Sequence, residues 1–107
     1  MQIQMQAFSK RKLSLRRRIT VDLGKHSHPV LFVEEFKAAD RPQGWAKIKG
    51  EGMPGVLNLE WDPDQRMLTA RAIAKKKNLP HALLGVFVAY LLEKHGRRLS
   101  AINIQLS

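Results

Sequence analysis

Apolar and polar positions alternate along most of this chain, and one long apolar block does not. Ile3, Met5 and Ala7 fall on one side of the first segment and Gln2, Gln4 and Gln6 on the other, which predicts a half-buried strand. Leu13, Leu15, Ile19, Val21 and Leu23 then alternate with Ser14, Arg16, Arg18, Thr20 and Asp22. Arg17 lands on the apolar side of that series. Either the strand bulges there, or it begins near Arg18 with the basic stretch outside the sheet. We place this second strand from about Arg17 to Gly24.

Lys25 to Pro29 is a connector, and Val30 to Lys37 is a third strand with Val30, Phe32, Glu34 and Phe36 on its core side. Ala38 to Gly55 reads as loop, punctuated by Pro42, Gly44, Gly50, Gly52, Pro54 and Gly55, with a short strand from Trp45 to Lys49 inside it. A hairpin follows. Leu57, Leu59 and Trp61 alternate with Asn58 and Glu60, and Asp62-Pro63-Asp64-Gln65 suits a type I turn, because Pro presets φ and Asp can bond the backbone. The chain then returns from Met67 to Ala74, with Leu68, Ala70, Ala72 and Ala74 on one face.

Leu79 to Leu92 is apolar nearly all round, so it predicts a helix, over about 79–95, that is covered on more than one side. Asn78 is placed to cap it, Pro80 lies in the first turn where a missing N–H does no harm, and Gly96 suits a left-handed C-cap. The small-residue face of the hairpin lets this helix approach closely, with Leu57, Leu59 and Trp61 flanking it. Ile102, Ile104 and Leu106 then alternate with Ala101, Asn103 and Gln105 as a final strand. The sum is one α+β domain over residues 1–107, a single antiparallel sheet of five to six strands on one long helix. Residues 9–18 form a basic arm or loop. One helix shields one face of such a sheet, so the other is wet or covered by a second subunit.

Charge changes the picture more than any other property. Nineteen Lys and Arg against nine Asp and Glu give a net +10. The first 25 residues hold seven of those cations and a single carboxylate, Asp22. Such an excess points to an anionic partner, nucleic acid foremost, and otherwise to an acidic protein. There are no cysteines, which excludes disulfides, Cys-ligated zinc and a Cys nucleophile. The amino terminus lacks the basic-then-apolar layout of a signal peptide, and Leu79 to Leu92 is shorter than the roughly twenty residues of a membrane helix. A cytoplasmic protein off the membrane is expected.

Three candidate chemistries remain. The first is phosphate neutralisation by Lys10, Arg11, Lys12, Arg16, Arg17 and Arg18, with Lys75, Lys76 and Lys77 before the helix and Arg97 and Arg98 after it. Trp45 with Lys47 and Lys49 joins it, an aromatic on which a base could stack beside two backbone-holding lysines; the other use of Trp45 is as core. The second concerns Asp22 and, thirteen residues on, Glu35-Phe36-Lys37. This spacing resembles the Asp…Asp/Glu-x-Lys pattern of metal-dependent restriction-type nucleases, which implies a divalent metal on Asp22 and Glu35 and a water positioned by Lys37. The alternative is charged residues on the exposed face of a strand. The third is an interaction or scaffold role, through a homodimer or an acidic partner.

His26 and His28 read as surface histidines of a connector rather than as metal ligands, and His81 and His95 as first-turn and last-turn residues of the helix. No glycine-rich phosphate loop and no Ser–His–Asp spacing is present. The expected function is therefore a small non-enzymatic nucleic-acid-binding module that needs no cofactor or metal.

Overall fold

The computed structural model describes residues 2–37, 44–75 and 78–106. In chain order it contains β1 (Gln2–Ser9), α1 (Leu15–Gly24), β2 (Leu31–Lys37), β3 (Trp45–Gly50), β4 (Val56–Asp62), β5 (Met67–Ile73), α2 (His81–His95), a 3-10 turn (Gly96–Arg98) and β6 (Leu99–Leu106). The strands form one antiparallel sheet in the order β2-β3-β4-β5-β1-β6, with both helices on one face. This is the α+β class that the alternation predicts, with a second helix added. Among the described residues no helix is long and apolar enough to cross a membrane.

Period-two patterning produces the sheet. Ile3, Met5 and Ala7 of β1, Leu57 and Leu59 of β4, and Leu68, Ala70 and Ala72 of β5 all turn to the helix side and are buried. The register sets them in rows, Met5 opposite Ala70 and Leu59 opposite Ala70 and Ala46. Helix α2 lies across β4 and β5 and inserts Leu83, Phe87 and Leu91, while α1 covers β2, β3 and β4. Each large apolar side chain so buried contributes about 1.5–3 kcal/mol. Gly55 closes the turn into β4 at φ +96, where a Cβ would meet the Ile73 carbonyl oxygen at 2.8 Å. Glycine is required there.

The second strand expected over Arg17 to Gly24 is instead helix α1. Leu15, Ile19 and Leu23 satisfy both periods, since four residues is two strand repeats and nearly one helical turn. Local chemistry decides it. The Ser14 side chain accepts the Arg17 N–H at 3.1 Å as an N-cap. Helical geometry then buries Leu15, Arg16, Ile19, Thr20 and Leu23 together and turns Arg17, the residue that spoiled the alternation, to solvent. Arg16 is wholly buried, its guanidinium donating to the Gly44 carbonyl. It ties α1 to the start of β3.

Three further details depart from the sequence reading. Strand β2 turns Leu31 and Val33, not Phe32, to the core, and shifts register between Val33 and Glu35. Past that shift Phe36 stands opposite Ala46 on the core side, yet at this sheet edge it is 60% exposed. Asn78 does not cap α2; Pro80 occupies the cap position and its carbonyl accepts the Leu84 N–H. Gly96 is right-handed at φ −55 because the chain tightens into the 3-10 turn instead of reversing.

The other sheet face is polar. Lys47 pairs with Glu35 and Lys49 with Glu34, each at 3.0 Å, and Arg71 with Glu60 at 2.6 Å. Such half-exposed pairs contribute well under about 1 kcal/mol apiece. Their larger effect is to neutralise the charge of that face.

Candidate nucleic-acid interface

Pairing of β1 with both β5 and β6 gathers basic segments that are remote in sequence. Phe8 lies opposite Met67 on one side and Ala101 on the other, so the end of β1 meets the 62–66 turn and the 96–98 turn. Backbone hydrogen bonds lock this corner: Ser9 N–H donates to the Arg66 carbonyl and Lys10 N–H to the Arg98 carbonyl, both at 2.7 Å. The Arg66 guanidinium donates to the Lys10 carbonyl at 3.1 Å. Residues 9–18, expected as an arm or loop, thus divide into a strand end, a pinned loop and the first turn of α1.

Two open clefts of about 720 and 710 Å³ meet at His95 in this corner. Lys12, Arg17, Arg18 and Lys25 line the first, and Arg11, Lys94, Arg97 and Arg98 the second. Among the described residues Asp22 and Glu93 are the carboxylates on these walls. Cations therefore exceed carboxylates about fourfold here, whereas on the opposite sheet face Lys47, Lys49 and Arg71 each have a carboxylate partner. That contrast defines the site.

Beneath the clefts sits a polar chain between the helices. The Tyr90 hydroxyl donates to Asp22 Oδ2 at 2.7 Å and lies 3.0 Å from His95 Nε2. With its proton committed to Asp22, the hydroxyl accepts from Nε2–H, which leaves Nδ1 as the deprotonated nitrogen of a neutral imidazole. Burial holds His95 below its ordinary 6.5; Asp22 opposes that shift, and Arg18, Arg98 and Lys94 reinforce it. Burial and the bond to Asp22 push the Tyr90 phenol up. His28, edge-on to the Tyr90 ring, accepts the Val30 and Leu31 N–H groups at Nδ1 and is a structural residue. His26 is an exposed turn residue at φ 52.

The signs for stability follow from these shifts. A folded-state His95 below 6.5 makes the unfolded chain take up the proton first, so stability is complete above that value and falls as pH drops through it. A raised Tyr90 is lost from the stability balance as pH climbs above its ordinary 10.0. Urea midpoints measured from neutral pH down to about pH 5 will decline, and His95→Gln will flatten that decline. An unchanged slope in His95→Gln would assign the acid loss elsewhere.

Of the residues singled out from sequence, the corner collects Lys10, Arg11, Lys12, Arg17 and Arg18. Arg16 is unavailable to any ligand because it is buried. Trp45, Lys47 and Lys49 lie on the open sheet face; Lys47 sits 5.6 Å from the Trp45 ring centroid while bound to Glu35, so that aromatic face is already occupied by a cation. Lys75 follows β5 at the Gln2 end of the sheet, opposite the basic corner. Lys76 and Lys77 lie outside the described residues. The nuclease-like trio is not assembled: Asp22 is in the helix layer holding Tyr90, and Glu35 is on the open face holding Lys47. No group of three metal-binding side chains occurs among the described residues.

Sequence reasoning passed over Lys25, Arg66, Lys94 and His95 as members of this corner and gave Arg97 and Arg98 only a supporting place. The one available signal was the count of basic residues flanking α2. Comparison with protein-family models, curated proteins and solved structures found no match for the chain.

Proposed function

We propose that the corner formed by the 10–12 loop, the exposed face of α1 and the 96–98 turn binds the phosphate backbone of a nucleic acid. The observation that carries this reading is the segregation of charge: cations crowd two adjoining clefts with few carboxylates, while those on the opposite face are paired. Arginines and lysines along two adjoining clefts neutralise successive phosphates without reading base edges, so binding is largely independent of sequence. No proton transfer is required of His95, which serves as a neutral floor to the clefts.

Salt dependence tests this directly. Fluorescence anisotropy with a labelled duplex is expected to show affinity falling about 10³-fold between 50 and 200 mM salt if roughly six phosphates are neutralised. Single-stranded RNA and DNA probes in the same titration rank the substrates. Absence of binding at low salt, or binding indifferent to salt, would dismiss the reading.

A further inference from the structure

The two edges of the sheet are built differently. Edge β2 carries Glu34, Glu35 and Lys37 and a register shift, the features that ordinarily keep an edge from pairing with another chain. Edge β6 carries no charged residue, and its register shift is confined to its first residues, where Ser9 pairs Leu99 and Ser100 is skipped. From Leu99 to Leu106 it holds no charge, proline or glycine in a chain with 26% charged residues, and its pairing with β1 is regular from Ile3–Leu106 to Phe8–Ala101. Among the described residues no strand lies beside its outer N–H and C=O groups in the sheet order. On the helix side Ile104 and Leu106, placed by register opposite Met5 and Ile3, are 48% and 76% exposed. The protein thus leaves a neutral, regular and partly apolar edge open.

We propose that β6 is the pairing edge for a second copy of this chain, the two β6 strands running antiparallel about a twofold axis at Asn103. The occupant follows from self-complementarity. With Asn103 opposite its twin, Ile102 of each copy meets Ile104 of the other on the helix side, and Ala101 meets Gln105 on the open side. Same-face β-branched pairs are favourable across antiparallel strands, and the amides of two asparagines can bond each other. Every contact is repeated by the axis, so the assembly closes as a dimer.

Charge permits this arrangement although each chain carries +10. Arg98 of each copy stands at the opposite end of the paired segment from its twin, roughly 30 Å apart at about 3.4 Å per residue. That is several times the ~8 Å screening length at physiological salt. An acidic partner, by contrast, gains nothing at a strip without cations. The axis lies perpendicular to the sheet, so the two six-stranded sheets join into one and both helix layers lie on the same side. This inference is independent of the nucleic-acid reading.

Sedimentation of the full chain across the micromolar range is expected to give twice the 12.2 kDa chain mass. Ile104→Lys, which sets a charge against the twin's Ile102, is expected to return the single-chain mass while the circular dichroism spectrum is retained. Phe36→Lys, on the other edge, is expected to leave the dimer intact. A single-chain mass for the unaltered protein overturns the proposal, as does a dimer in Ile104→Lys or its loss in Phe36→Lys. Hydrogen exchange needs no variant: amides within 99–106 are expected to slow as concentration rises. Slowing confined to any other strand places the interface there and overturns it.

Discussion

Replacing Arg16 by alanine is expected to lower the unfolding free energy by about 3–4 kcal/mol, the largest effect of any single arginine substitution among the described residues. Two losses add. The Gly44 carbonyl loses its guanidinium donor inside the protein, and the space left by a wholly buried side chain has no solvent to fill it. Arg16→Met separates these losses. It keeps much of the stem volume, so about 1–2 kcal/mol should remain as the cost of the orphaned carbonyl. The neighbour provides the control: Arg17 is exposed, and Arg17→Ala should stay within about 0.5 kcal/mol of the parent. Urea denaturation of the three variants measures all of this. If Arg16→Ala unfolds within about 1 kcal/mol of the parent, the guanidinium is not what ties α1 to β3.

The second large effect is on binding. Removing Arg17, Arg18, Arg97 and Arg98 together by alanine substitution is expected to weaken duplex affinity at least ~10²-fold near 0.1 M salt and to reduce the log–log salt slope by about 3–4. A matched set, Lys37, Lys47, Lys49 and Lys75 to alanine, lowers net charge equally but touches the open sheet face, the β2 edge and the far end of β5. That set is expected to change affinity by less than about threefold, the part due to the overall field alone. The comparison therefore separates a local site from general basicity. Equal losses in the two sets would show that the corner has no special role.

Much of the fold is legible in the chain because it rests on local pattern. β1, the β4–β5 hairpin and β6 are recognisable from alternation, and Asp62 bonds the turn amides of Asp64 and Gln65 as the Asp-Pro-Asp signal predicts, at 3.0 and 3.2 Å. Helix α2 stands out because nearly every position is apolar over a length no strand would take. The misreading of 13–24 has an equally local cause. Leu15, Ile19 and Leu23 satisfy both periods, and the choice rests on Ser14 as a cap and on whether Arg16 or Arg17 is tolerated inside. Alternation sets Arg16 outside and Arg17 on the apolar side, the reverse of what the helix does, and a fully buried arginine is too uncommon to be expected from pattern.

The site was legible only in its ingredients. Lys10 to Lys12 and Arg97-Arg98 are visible as basic runs, but nothing near either one says that they share a corner. That depends on β1 lying between β5 and β6, a choice among strand orders made by the packing of whole elements. The same choice sends Lys47 and Lys49 to the opposite face, where β2 supplies their carboxylates.

By itself, then, the amino-acid order determined the strand and helix inventory wherever one period dominated, and the cationic excess of the whole. Tertiary structure alone decided which cations gather in the corner and which pair with carboxylates, which arginine is interred, and which strands form the sheet edges. The physical reason is range. Periodicity, caps and turns act over a few residues and are written beside each other, whereas charge segregation and edge exposure depend on which distant segments the folded sheet sets side by side.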